Sequence, residues 1–276
     1  YTACSISNLA ELYNSQKRYD EAEPLCIQAL ELRKRLLGSE HPDVATSINN
    51  LAELYHSQAR YSEAEPLYIQ ALELRKHLLG LEHPDVATSI NNLAEFYRSQ
   101  GRYSEAEPLY IQALELRKRL LGLEHPNVAQ SINNLARLYH SQKRYNEAEP
   151  LYIQALELYK RLLSEEHPDV IAQIINNLAK LYCSQERYNE AEPLYIESLE
   201  LYKNLLGEEH PNVALAIYNI VQMYYLEERY SEAEPLCIQA LELYKRLFGE
   251  EHLNVALAIN NLAELYYWQE RYSEAE

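Results

Sequence analysis

The chain has 276 residues, 42 acidic against 25 basic, and a formal net charge of −17, which repels nucleic acid and anionic membrane surfaces and excludes both as bulk partners. No apolar run approaches the roughly 18 residues of a membrane span, and no signal peptide is visible. Cys4, Cys26, Cys183 and Cys237 form no CxxC or other ligand spacing, so they read as small apolar substitutes in reduced thiol form, as in a cytoplasmic protein.

The chain is built by repetition. The unit HPDVATSINNLAELYHSQARYSEAEPLYIQALELRKHLLGLE, His41 to Glu82, returns from His83 to Glu124 with four changes: Leu54 to Phe96, His56 to Arg98, Ala59 to Gly101 and His77 to Arg119. A fixed period in this range signals a stacked array. In chain order the units span about 1–40, 41–82, 83–124, 125–166, 167–209, 210–251 and a partial 252–276, read as one repeat domain over 1–276. The chain opens at Tyr1 inside a helix pattern and stops at Glu276 at the start of another, so it reads as an excerpt of a longer array. A tyrosine expected to close the turn within each unit recurs at Tyr19, Tyr61, Tyr103, Tyr145, Tyr188, Tyr230 and Tyr272. The steps are 42 residues except one of 43, whose extra residue lies between His167 and Asn176, where a longer lead-in or a local bulge would absorb it.

Each unit predicts two helices and no strand, an all-α fold. The first opens at His41-Pro42-Asp43, with proline at the first helical position and an acid near the positive end of the helix dipole. Val44, Ile48, Leu51 and Tyr55 form its apolar ladder, and Ala52 allows close approach of the second helix. It ends near Gln58, before a position that glycine would suit, but only Gly101 supplies one. Lys17, Ala59, Lys143, Glu186, Glu228 and Glu270 hold that place elsewhere. The second helix is expected to start at Ser62, where Ser62-Glu63-Ala64-Glu65 matches a capping box. Its expected buried face is Ala64, Leu67, Tyr68, Ala71, Leu74 and Leu78. Gly80, like Gly38, Gly122, Gly207 and Gly249, ends it, with Ser164 as the exception.

The small and large apolar positions Leu51-Ala52, Tyr55, Tyr61, Ala64 and Ala71 resemble a tetratricopeptide repeat. The longer unit, HPxVAxxxNNLAxLY followed by EAEPLYxxALE and a closing LG, resembles the repeats of kinesin light chains and related bacterial arrays. Leu253 in place of the last HP proline and IYNIVQMYY in the sixth unit depart from it. The resemblance implies a right-handed superhelix of antiparallel helix pairs, acting as an adaptor that holds peptide segments of other proteins in a concave groove lined by the first helices.

The candidate contacts lie beside the apolar ladder. An asparagine recurs at Asn8, Asn50, Asn92, Asn134, Asn177, Asn219 and Asn261, preceded by another at Asn49, Asn91, Asn133, Asn176 and Asn260. An amide there can donate to and accept from an extended backbone, and by the resemblance these positions touch a ligand; the competing reading is a bond to the neighbouring repeat. Further along lie two varying positions: Glu11, Glu53, Glu95, Arg137, Lys180, Gln222, Glu264, and Asn14, His56, Arg98, His140, Cys183, Tyr225, Tyr267. They grade the strip from acidic, through basic at Arg98, Arg137 and Lys180, to aromatic at Tyr225, Tyr267 and Trp268. A basic patch in an acidic protein points to an acidic peptide, with surface drift between copies as the competing reading.

His41, His83, His125, His167, His210 and His252 are one per unit, too far apart to share a metal, and read as helix caps. The EAE acids recur in every unit and read as capping and solvation rather than a catalytic pair. No nucleotide, zinc-protease or nucleophile-elbow motif occurs, so no cofactor and no enzyme activity is expected. The expected function is a protein-interaction scaffold. Its rivals are an array that self-associates through uncapped ends and the sensor region of a larger nucleotide-dependent switch protein.

Overall fold

The structure, a computed structural model, describes residues 2–163 and 168–275, with Leu163 described by its backbone alone. The chain divides into two compact units, residues 1–138 and 139–276. In the first, α1 (Thr2–Ser15) pairs with α2 (Tyr19–Leu37), α3 (Pro42–Ser57) with α4 (Tyr61–Leu79), and α5 (Pro84–Ser99) with α6 (Tyr103–Leu121); α7 (Pro126–Ser141) contains the boundary. In the second, α8 (Tyr145–Leu163) packs on α9 (Pro168–Ser184), which pairs with α10 (Tyr188–Leu206). Then α11 (Pro211–Leu226) pairs with α12 (Tyr230–Phe248), and α13 (Leu253–Trp268) with α14 (Tyr272–Ala275). Among the described residues every element is a helix. Within each unit second helices also pack on the next first helix, as α2 does on α3, α4 on α5, α8 on α9 and α10 on α11, so each unit's core is shared between repeats.

Local chemistry explains where the first helices begin and end. The Nδ1 of His41, His83, His125, His210 and His252 accepts a hydrogen bond from the backbone N–H two residues on, at 3.1 Å in each case. The ring caps the helix, and proline fills the first position in all of these but α13, where Leu253 does. The sixth histidine, His167, and the glycine-stop exception Ser164 lie outside the described residues. At the other end the chain turns through a left-handed residue, with φ between 57° and 60° at Lys17, Ala59, Lys143, Glu186, Glu228 and Glu270, and 72° at Gly101. The extra residue of the fifth repeat lengthens its first helix: α9 has 17 residues against 16 in α3, α5 and α11, and its buried register resumes at Ile171 and Ala172.

Two features of the second helix differ from the sequence expectation. Ser62 caps nothing: α4 begins at Tyr61, and the preceding residue, Arg60, makes no side-chain cap bond. The Arg60 carbonyl accepts from Glu63 and Ala64 N–H, and its guanidinium bonds the Glu63 carboxylate at 2.8 Å, so the box residues are used elsewhere. The buried face is also rotated. Leu72 and Arg75 are buried, whereas Leu74 and Leu78 are half-buried, because the helix is clasped between two first helices and needs a wider covered arc.

The repeated acids are more than solvation. The second acid of the EAE is gripped by the next repeat within a unit: Glu65 accepts from the Tyr97 hydroxyl at 3.1 Å and from Arg102 at 2.8 and 3.0 Å, while that guanidinium lies 4.2 Å from the Tyr97 ring centroid. The same clasp recurs at Glu23 with Tyr55 and Arg60, Glu149 with Tyr182 and Arg187, and Glu192 with Tyr224 and Arg229. The Arg102 hydrogen bonds hold the Glu65 carboxyl below the usual range. Two-pronged pairing and ring stacking make this clasp stronger than a lone surface pair. Arg102→Ala is therefore expected to lower the melting temperature, and Arg119→Ala, which removes only the exposed pair with Glu82, to leave it nearly unchanged. High salt should narrow the difference; equal melting temperatures for the two variants would refute the clasp.

Candidate functional site

Successive first helices carry a strip of amides and charges. The second asparagine of four repeats reaches back to the preceding repeat. Asn92 Nδ2 donates to Asn49 Oδ1 at 3.1 Å and Asn134 Nδ2 to Asn91 Oδ1 at 2.9 Å in the first unit; Asn219 Nδ2 donates to Asn176 Oδ1 at 2.8 Å in the second. Asn50 Nδ2 donates instead to Glu11, at 2.8 Å, because the first repeat has Ser7 in place of the first asparagine. Asn49, Asn91, Asn134 and Asn219 are buried, and Asn50, Asn92, Asn133, Asn176 and Asn177 half-buried. Within each unit the amides thus link repeats, with one N–H of Asn50, Asn92, Asn134 and Asn219 used in these bonds. The other N–H and the spare carbonyl lone pairs are the capacity left for a ligand. The Asn133 carbonyl oxygen is buried without a partner among the described residues.

The basic positions divide. Arg98 donates from Nε and a terminal nitrogen to Glu95 at 3.0 and 2.5 Å, and Arg137 reaches the same carboxylate at 3.3 Å. The buried Tyr110 hydroxyl donates to it as well. Burial raises the Glu95 carboxyl, but the Arg98 bonds, the charges of Arg137 and Arg98, and the Tyr110 bond outweigh that and hold it below the usual range. The first unit's arginines are therefore neutralised locally. Glu53 is pushed up by desolvation, against the Asn49 hydrogen bond and with Glu11 adding repulsion. Its edge reaches water, so the crowding comes from the strip's walls rather than from the core.

Lys180, in the second unit, differs. It lines a cavity of about 270 Å³ with Asp169, Gln173, Asn176, Asn177 and Tyr202. Among the described residues no carboxylate pairs with its ammonium, and burial lowers its pKa. The neighbouring His140 bonds Ser184 at 3.1 Å, and burial together with the Lys180 charge lowers its pKa too. Tyr225 packs its edge on Tyr230 at 5.8 Å and is half-buried, while Tyr267 and Trp268 are exposed.

Sequence reasoning missed the floor of the strip. Arg33, Arg75 and Arg117 of the second helices are buried, and each donates to a serine of the next first helix: Ser47 at 2.6 Å, Ser89 at 2.7 Å and Ser131 at 2.8 Å. In the second unit the same places hold Tyr159, Tyr202 and Tyr244, and the serine place holds Ile174, Ala216 and Ala258. Arginine goes with serine and tyrosine with an apolar partner; that joint switch was the available signal. No group of three or more His, Cys, Asp or Glu among the described residues is placed to hold a metal. No described helix is long and apolar enough to cross a membrane.

Helix pairs stacked at a 42-residue period, with a polar strip on successive first helices, define an α-solenoid of the protein-interaction class. The chain belongs to the tetratricopeptide repeat family, whose model matches residues 1–77, 85–161, 170–233 and 214–276, with a second tetratricopeptide repeat model matching 49–119. Its repeats are similar to those of kinesin light chain-type proteins. They are 27% identical to the nearly identical TPR-like repeats of a kinesin light chain-type protein from Podosopora anserina, over 76% of this chain and 99% of that one, with a TM-score of 0.62. BtubC (BKLC) from P. vanneervenii shares the fold at 24% identity, over 90% of this chain and 93% of that one, with a TM-score of 0.66. The STAND protein with a tetratricopeptide repeat sensor from Pyrococcus horikoshii shares it at 14% identity, over 99% of this chain and 40% of that one, with a TM-score of 0.69.

Proposed function

We propose that the chain is a non-enzymatic, cytoplasmic scaffold whose first-helix strip binds extended peptide segments of partner proteins, and that Lys180 gives the strip a preference for acidic segments. The observation that carries this is the cavity around Lys180: a desolvated ammonium without a carboxylate partner among the described residues, flanked by Gln173, Asn176 and Asn177. A desolvated cation beside neutral amides favours a carboxylate from a ligand, and the amides can hold the adjoining backbone. Arg98 and Arg137 contribute less, because both already serve Glu95.

The test is fluorescence anisotropy with short acidic and basic peptides of equal length. Wild type should prefer the acidic ones, and Lys180→Glu should lose that preference by about tenfold, the effect of one close charge pair. Arg98→Glu should change it little. Unchanged selectivity in Lys180→Glu would sink the assignment. A second reading, a sensor region of a larger nucleotide-dependent switch protein, draws on the likeness in fold to the Pyrococcus horikoshii sensor. A full-length gene product without a nucleotide-binding domain would count against it.

A further inference from the structure

In the first unit a cavity of about 460 Å³ lies between the second helices α2 and α4, over α3. Val44 and Ile48 of α3 are buried and form its floor, and the half-buried Leu74 of α4 forms one wall. Lys34 and Ser39 line it from the α2 side, and Gln70, Glu73 and His77 from α4. None of these residues belongs to the strip of asparagines and charges on the first helices.

The same places in other repeats show why a cavity opens at this junction. Between α4 and α6 the place of His77 holds Arg119, which bridges to Glu82 at 3.1 Å. Between α10 and α12 it holds Arg246, which bridges to Glu209 at 3.2 Å. The leucines in the place of Leu74 at these two junctions, Leu116 and Leu243, are buried. Between α8 and α10 the place of His77 holds Asn204, and there Lys160 bridges to Glu197, which stands where Gln70 stands, at 3.0 Å. The α2–α4 junction has neither bridge: His77 makes no bond to Glu40, and Gln70 presents a neutral amide to Lys34. Ser39, where the next repeat has Leu81, leaves the mouth open as well.

Lys34 is left over as a result. The lysines in its place, Lys76, Lys118, Lys160, Lys203 and Lys245, each pair with a glutamate at 2.9 to 3.8 Å. Lys34 pairs with none among the described residues, and the Gln70 amide, the Ser39 hydroxyl and the His77 ring have no hydrogen-bond partner there either. Three donors and one uncompensated cation thus surround an apolar floor.

We infer that this cavity is a binding site for a small organic carboxylate with an aryl or branched alkyl body. Its volume falls within the roughly 300–1,000 Å³ of small-molecule sites, which are mainly apolar with a few converging polar groups. The body leaves water against Val44, Ile48 and Leu74. The carboxylate takes the place of the missing glutamate at Lys34, with Gln70 and Ser39 as further donors. The charges favour a monoanion: Lys34 supplies one unpaired cation, while Glu73, held by Lys76 at 2.9 Å, repels a second negative charge. The site is separate from the strip and does not depend on its peptide-binding reading.

The test is calorimetric titration of the Lys180→Glu protein, which lacks the strip's own unpaired cation, with phenylpropanoate, phenylpropanol and phenylpropylammonium. The carboxylate should bind about tenfold tighter than the alcohol, and the ammonium weakest. Adding Lys34→Gln should abolish the advantage of the carboxylate over the alcohol. Adding Ser39→Leu and His77→Arg together supplies the residue types of Leu81 and Arg119, which close the next junction. That variant should keep the circular dichroism of its parent, melt no lower, and bind neither ligand. Absence of saturable phenylpropanoate binding would overturn the site. Equal binding of carboxylate and alcohol would overturn the ligand class, and undiminished binding by the Ser39→Leu, His77→Arg variant would place the ligand elsewhere and overturn the assignment.

Discussion

Phe96→Ala is expected to cost about 3–5 kcal/mol of stability, and Phe96→Leu less than about 1.5 kcal/mol. Phe96 is fully buried, with the rings of Tyr68, His56, Tyr97 and Tyr61 at 5.2, 5.4, 5.7 and 6.2 Å. Truncation leaves a cavity walled by these rings, which belong to two repeats and cannot close on it without shifting the interface. Leucine is the residue of the equivalent Leu54, Leu138, Leu181 and Leu265, all buried, so that variant has the shape the stack uses elsewhere and loses the ring contacts, among them the edge contacts with His56 and Tyr61. Urea unfolding followed by circular dichroism checks both. A Phe96→Ala cost under about 1 kcal/mol would mean that the slot can collapse and that the interface is softer than its packing indicates.

Six glycines are expected to act in the opposite sense. Lys17, Ala59, Lys143, Glu186, Glu228 and Glu270 all sit in the left-handed region. An L side chain there costs about 1–2 kcal/mol, while glycine loses about 0.5–1 kcal/mol more backbone freedom on folding than alanine does. Each replacement should gain about 0.5–1 kcal/mol, and all six together about 3–5 kcal/mol, since the sites are separated by whole repeats and share no partners. Gly101 is the natural control. A Cβ added to it meets nothing within 4 Å, so Gly101→Ala should lose about 0.5–1 kcal/mol through the backbone alone. If the six-glycine variant melts no higher than wild type, the turns would carry no strain.

The repeat period, the histidine-proline start of each first helix and the left-handed turn residue were legible because each depends on neighbours in the chain. The capping box at Ser62 misled for a related reason. Its spacing is correct, but Arg60 takes Glu63 and the next repeat's Arg102 takes Glu65, a bond that crosses 37 residues. The asparagine pairs drew attention through their position beside the apolar ladder, yet a bond between Asn92 and Asn49 and a bond to a ligand leave the same mark on a sequence. Arg98 and Arg137 read as a free basic patch because both lie on the strip; their common partner, Glu95, sits in a place that is acidic in the second and third repeats and basic in the fourth and fifth. The floor switch from arginine to tyrosine was visible but had no meaning until each arginine was seen to reach the serine of the next repeat.

The sequence by itself determined the all-α class, the two-helix unit, its period and its family, because periodic burial and backbone chemistry act within a single repeat. Tertiary structure alone decided which side chains meet across repeats. It placed Glu65 under Tyr97 and Arg102, joined Asn134 to Asn91, buried Arg75, left Lys180 beside neutral amides, and opened a cavity over Val44 and Ile48. The reason is geometric: a side chain's partner in a stack is set by the direction in which it leaves one helix and by what the next helix places opposite.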